Sequence, residues 1–284
     1  MERVPAEGRL VVLHIGLPKT GTTHLQRQIF PRGRDLTFAH RNLTPEWQGL
    51  CHGLRRYARA PGLIAPFLRH RVASGLRAAA PVDPGTLLVS DENIAVDAQS
   101  LWRDRGPSPE SLAARLAALA ETVAPLGQLR VLVGVRRQDQ WLASRYAESA
   151  RDNPDFGQVD FDRRMARLHA TAALSGPWRW ADYAHVEQTF AAALGTENVM
   201  LLSLEHLAAR PIAAQNAIGR FLGTRFPRKR GGQRRRNNTL ALGEDNWRLR
   251  GGGGLILKPD VRDMILERFS ASNAELGARL DLGF

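Results

Sequence analysis

Four short, Val- and Leu-rich runs limit what this chain can fold into: Leu10–Ile15, Thr86–Val89, Leu129–Val135 and Val199–Leu202. Each has the length of a buried strand and is too short for a buried helix. Helical patterns separate them, most clearly over Thr22–Ile29, Leu63–Ala80, Ser111–Val123, Gln138–Ala150, Phe161–Ala173 and Tyr183–Leu194. Strands spaced by helices predict an α/β fold with a central parallel sheet and helices on both faces. After the fourth run come a short helix near Pro211–Leu222, a basic loop over Arg225–Asn238 and a terminal helix near Pro259–Leu276. Gly251–Gly254 reads as a flexible turn. No internal repeat of useful length occurs.

In such a sheet ligands collect beyond the carboxyl ends of the strands. Three chemically able segments fall there: Gly16-Leu17-Pro18-Lys19-Thr20-Gly21-Thr22-Thr23, then Asp91-Glu92-Asn93, then Arg136-Arg137. Composition narrows the setting. The 284 residues are expected to form one domain, 1–284. No stretch approaches the roughly 20 apolar residues of a membrane span, and the start, Met1–Gly8, lacks the apolar run of a signal peptide. Cys51 is the only cysteine, which suits a reducing compartment, so a cytoplasmic location is expected. The net charge of +12 fits nucleic acid, an anionic membrane, an acidic glycan or a multiply phosphorylated cofactor. Lysine stands only at Lys19, Lys229 and Lys258; the arginine excess suits phosphate and sulfate recognition, although Ala-, Gly- and Arg-richness is also a mark of GC-rich coding.

The first segment follows a strand and opens a helix at Thr22, the layout of a phosphate cradle, in which free N–H groups at the helix start face the anion. The triphosphate loop G-x-x-x-x-G-K-[ST] needs a lysine directly after its second glycine. Gly16 and Gly21 keep that spacing, but Thr22 stands in the lysine's place, Thr23 keeps the final hydroxyl and Lys19 lies earlier in the loop. That weakens a P-loop kinase or NTPase reading. The string Pro18-Lys19-Thr20-Gly21-Thr22-Thr23 resembles the 5′-phosphosulfate loop of sulfotransferases that depend on 3′-phosphoadenosine 5′-phosphosulfate (PAPS). The resemblance implies a P-loop-type nucleotide-binding architecture. It also implies that Thr20, Gly21, Thr22 and Thr23 cradle the 5′-phosphate, and that Lys19 stabilises charge on the departing nucleotide.

Arg136 leaves the third run and Ser144 follows eight residues later, on the next helix. Alone the pair means little. The family places an arginine and a serine at this spacing for the nucleotide's 3′-phosphate, and Arg136 to Ser144 resembles that segment; Arg137 stands seven from Ser144. The basic loop 225–238, with Arg228, Lys229, Arg230 and Arg234–Arg236, lies where the family closes over the nucleotide. The implied reaction moves a sulfuryl group to a hydroxyl or amine, with a carbohydrate as one candidate acceptor class and no metal required. It needs a group to take the acceptor's proton: Glu92 is the first candidate, Asp91 the second and His24 the reserve. The histidines show no metal-ligand spacing, and zinc spacings, interleaved aromatic platforms and a recognition helix are missing, so no nucleic-acid partner is expected. The competing readings are the kinase or NTPase and a basic nucleotide- or nucleic-acid-binding protein without catalysis. Regions Leu36–Arg77 and Arg151–Trp180 are the expected walls of the acceptor cleft.

Overall fold

A computed structural model describes residues 9–80, 85–97, 99–227 and 240–284. Strand β1 (Leu10–His14) leads into a short helix α1 (Thr22–His24), which widens into π-helical turns over Leu25–Ile29. Then follow β2 (Leu36–His40), α2 (Pro45–Ala58), α3 (Ala65–Ala79), β3 (Thr86–Ser90), α4 (Pro109–Val123) and β4 (Gln128–Val135). Helices α5 (Gln138–Ser149), α6 (Gln158–Ala170) and α7 (Tyr183–Leu194) precede β5 (Val199–Ser203). The chain ends with α8 (Leu204–Ala209), α9 (Pro211–Phe221), β6 (Asn246–Arg248), β7 (Gly254–Ile256) and α10 (Pro259–Gly277).

The sheet is parallel throughout, in the order β2-β3-β1-β4-β5. All four expected strands are present within one or two residues. Strand β2 was not expected. Its Leu-Thr-Phe-Ala-His sequence lies at the sheet edge, where only Ala39 is buried, so it lacks the apolar run that marked the others. Helix α2 was also not expected, although its buried Leu50, Cys51, Leu54, Tyr57 and Ala58 fall on one stripe. The last of the glycine run, Gly254, starts β7, which pairs antiparallel with β6.

Period-two alternation divides the core. Val11, Leu13, Leu87, Val89, Val131 and Val133 face one side, where they pack with α2–α7 and α10. Val12, Leu88, Leu132 and Leu202 face the other, under Leu25, Ile29 and the helices α8 and α9. Helix starts are locally encoded: Ser108 accepts from the Ser111 amide and Pro109 opens α4, while Asp182 accepts from the His185 amide at α7.

The register fixes the active edge. His14 pairs with Ser90 on one side and Leu132 on the other. The ladder then continues into the first loop, where Ile15 N donates to Leu132 O at 3.0 Å and Leu17 N to Gly134 O at 3.0 Å. Gly134 lets that loop lie flat on β4, since a Cβ there would stand 2.8 Å from Thr20 Oγ1. Gly134→Ala should therefore cost about 1–3 kcal/mol of stability by overpacking. Gly49→Ala, at a helical position where a Cβ meets nothing within 4 Å, should instead stabilise by roughly 0.5–1 kcal/mol. Denaturant unfolding of the two variants checks both signs.

Candidate functional site

At the carboxyl edge a cleft of about 650 Å³ is lined by Pro18, Lys19, Gly21, Thr22, Thr23 and His24 from the first loop. Glu92 after β3, Arg136 and Arg137 after β4, Gln140 and Glu148 of α5, Glu205 of α8, and Glu244 before β6 complete its polar walls. A larger groove of about 740 Å³ lies between α2 and α3. Its acid and histidine, Glu46 and His52, stand apart from the sheet's carboxyl edge, and it gathers no phosphate loop, so the smaller cleft is the site.

The loop is held from beneath. Trp141 Nε1, fully buried in α5, donates to Pro18 O at 2.9 Å. Thr20 is buried and its hydroxyl donates to Leu17 O at 2.5 Å, so this hydroxyl braces the loop and does not line the cleft. Gly21 has φ +85°, a conformation open to glycine, and a Cβ there would meet Leu204 Cδ1 at 2.8 Å. From this turn Gly21 O accepts the His24 and Leu25 amides, which starts α1. Thr22 Oγ1 is buried with no hydrogen-bond partner among the described residues. Such an atom costs free energy unless something completes it, and it belongs to a residue that lines the cleft.

The cations fall into two kinds. Arg137 is spent: its Nε and Nη2 grip Asp139, each at 2.8 Å. Among the described residues the Arg136 side chain donates only to the neutral Gln140 Oε1, at 2.8 Å, and no carboxylate comes within ion-pair distance of it. Burial lowers its pKa, so its charge is held where water solvates it poorly. An arginine kept half-buried without an ion-pair partner is a ready anion site. Ser144, expected to share that anion, is fully buried in α5 and does not line the cleft.

Lys19 has a φ of 72° and places its ammonium 2.9 Å from Glu148 Oε1. Glu148 is fixed in turn by Arg145 Nη1 at 2.7 Å, and the fully buried Arg145 also donates to Asp97 O. Burial would raise the Glu148 pKa, but Lys19 and Arg145 together outweigh it and hold the carboxyl low. Glu92 moves the other way. Burial pushes its pKa up, opposed by Arg41, whose Nη2 stands 3.6 Å away. Two carboxyl groups in one cleft are thus driven apart, the arrangement that separates proton-transfer roles.

Asp91 is a different object from Glu92. It is buried, accepts the Asn93 amide at 3.0 Å and pairs with Arg55 Nε at 3.1 Å. Buried against Arg55 and the Asn93 amide, it braces the loop after β3. His24 lines the cleft beside Thr23. Sequence reasoning missed Glu148, Gln140 and Glu205, which enter only because α5 and α8 turn them towards the first loop. Glu205 Oε1 accepts the Arg137 amide at 3.2 Å, and burial raises its pKa. Of the basic loop 225–238, residues 228–238 lie outside the described residues, and Arg225 does not line the cleft. Among the described residues no group of three His, Cys, Asp or Glu side chains is placed to hold a metal ion, and no helix is long and apolar enough to cross a membrane.

The two acids after β3 should behave oppositely on neutralisation. Asp91→Asn leaves Arg41 and Arg55 short of their partner and should lower stability by roughly 1–3 kcal/mol. Glu92, with its folded pKa above the ordinary 4.5, contributes stability that is complete below its unfolded pKa and is lost as pH rises through the folded value. Glu92→Gln should remove that loss, so the variant gains on the parent as pH climbs through that window. Unfolding midpoints measured across pH check both.

No family model and no curated protein matches the chain. Among solved structures it is similar to a sulfotransferase from Alicyclobacillus acidocaldarius, at 16% identity over 94% of each chain and with a TM-score of 0.54. The sulfotransferase domain of the Synechococcus PCC 7002 olefin synthase aligns at 13% identity over 96% of this chain and 95% of that one, with a TM-score of 0.37. The sulfotransferase domain from the curacin biosynthetic pathway aligns at 13% identity over 97% and 98%, with a TM-score of 0.35. The first of these likenesses, spanning nearly the whole of both chains, gives this chain the α/β fold of a sulfotransferase.

Proposed function

We propose that the chain is a PAPS-dependent sulfotransferase that moves the sulfuryl group to a hydroxyl or amine of its acceptor, a carbohydrate being one candidate class. The observation that carries this reading is Arg136, a half-buried cation in the cleft whose guanidinium has one described hydrogen bond, to neutral Gln140. A 3′-phosphate would supply its missing counter-charge. Thr22 Oγ1, buried and unpartnered, would find its acceptor in the 5′-phosphate, together with the amides at the start of α1.

On this reading Lys19 faces the oxygen that bridges sulfur and the 5′-phosphate. Its ammonium gains most as that S–O bond breaks and charge grows there. Glu92 takes the proton from the attacking hydroxyl or amine, a task helped by a pKa raised towards working pH. Nothing in this division of labour calls for a divalent cation. The buried, lone Cys51, its thiol pushed up to about 12 mainly by burial, is inert and suits the cytoplasm that we assign to the chain.

The resting contact between Lys19 and Glu148 has a consequence. The phosphosulfate must compete with a carboxylate for the ammonium, so Glu148→Gln should bind 3′-phosphoadenosine 5′-phosphate more tightly than the parent. Lys19→Ala should lose about 10²–10³-fold in turnover while still binding that nucleotide. Near-normal turnover in Lys19→Ala would overturn the mechanism. A chelator should leave turnover intact; loss with the chelator and recovery with Mg²⁺ would favour phosphoryl transfer instead. Arg136→Ala should weaken bisphosphate binding about tenfold or more, and Arg137→Ala, whose guanidinium serves Asp139, should affect it far less.

A further inference from the structure

One helical hairpin, none of whose residues lines the cleft, is unusually rich in arginine. Between Glu46 and Asp83 the sequence has no acid and no lysine, yet it carries Arg55, Arg56, Arg59, Arg69, Arg71 and Arg77, six of the twelve net positive charges. This span covers most of α2 and all of α3. Arg55 and Arg59 turn inward, to Asp91 at 3.1 Å and to Asn93 O at 2.8 Å. Arg56, Arg71 and Arg77 stay exposed.

The turn that joins α2 to α3 is apolar and unprotected. Leu63 is 97% exposed, Phe67 64% and Ile64 46%. Single exposed apolar residues need no explanation, but three within five positions on one protrusion do. The open face of α3 continues from them as Phe67, His70, Arg71, Ser74, Arg77 and Ala78, all exposed and spaced to fall on one stripe. The Arg71 guanidinium lies 5.9 Å from the centre of the Phe67 ring, so the cationic and apolar parts are contiguous. Arg56 and Arg71 also line the groove of about 740 Å³ between the two helices.

We propose that this hairpin docks on an anionic lipid surface, with Leu63, Ile64 and Phe67 entering the headgroup boundary while Arg71 and Arg77 lie over the acidic headgroups. The pairing of features selects that partner. A soluble polyanion would use the arginines and leave the apolar turn in water. An apolar protein partner would use the turn and gain nothing from a face without acids. An acidic bilayer satisfies both, because interfacial helices bury an apolar tip and keep cations at headgroup level. The hairpin falls within the 36–77 region expected as an acceptor wall, yet none of its residues lines the cleft, so the proposal does not rest on the sulfotransferase reading.

The test is co-sedimentation of the full chain with vesicles of phosphatidylcholine alone and of phosphatidylcholine mixed with phosphatidylglycerol. Binding to the mixed vesicles only, weakening as salt rises, is expected. The double variant Leu63→Asp, Phe67→Asp changes side chains that face water and should keep the parent's melting temperature. Its partition onto mixed vesicles should fall at least about tenfold. Arg71→Glu with Arg77→Glu should remove the preference for the acidic lipid. Failure of the chain to bind mixed vesicles, equal binding to both vesicle types, or unchanged partition of the Leu63/Phe67 variant would each overturn the proposal. Binding to heparin without binding to vesicles would assign the arginines to a soluble polyanion and overturn it equally.

Discussion

The site depends on how closely the first loop lies against the strand beside it. Leu17 N reaches Gly134 O as though the loop were still part of the sheet, and Trp141 Nε1 pins Pro18 O from α5. Those bonds fix the loop before any ligand arrives, so its amides need little reorganisation to meet an anion. They also join the two ends of the site mechanically. Trp141 sits on the helix that follows Arg136, so the elements carrying Lys19 and Arg136 are packed on one another.

Charge within the cleft follows from that packing. A site built for a polyanion is lined by Glu92, Glu148, Glu205 and Glu244, which looks self-defeating until the surroundings of the first three are traced. Glu148 is neutralised by Lys19 and Arg145, Glu205 is drawn towards its neutral form by burial, and Glu92 is raised in the same way. Arg136 keeps a surplus charge where none of these acids forms an ion pair with it. The carboxyl groups therefore set which cation is free and which is spoken for.

The sequence made the parallel sheet legible because β1, β3, β4 and β5 are buried on both faces and read as apolar runs. Edge strand β2 is mostly half-exposed and carries no such run. The loop from Gly16 to Thr23, Glu92 and Arg136 were also legible, since each falls where a strand ends. Two roles could not be read that way. The inward turn of the Thr20 hydroxyl depends on Leu17 O, and the burial of Ser144 depends on what packs around α5. Glu148 was invisible for a similar reason. On a helix of this kind an acid is usually a solvated face, and only the approach of Lys19 makes it part of the site.

The most direct test of the central claim compares melting temperatures of the parent chain with 3′-phosphoadenosine 5′-phosphate, AMP and ATP at equal concentrations. Stabilisation by a bound ligand grows with concentration over Kd. If Arg136 receives a 3′-phosphate, the bisphosphate should raise the melting temperature most, with an affinity at least about tenfold above that of AMP. Equal shifts with the bisphosphate and AMP, or a larger shift with ATP, would contradict the account.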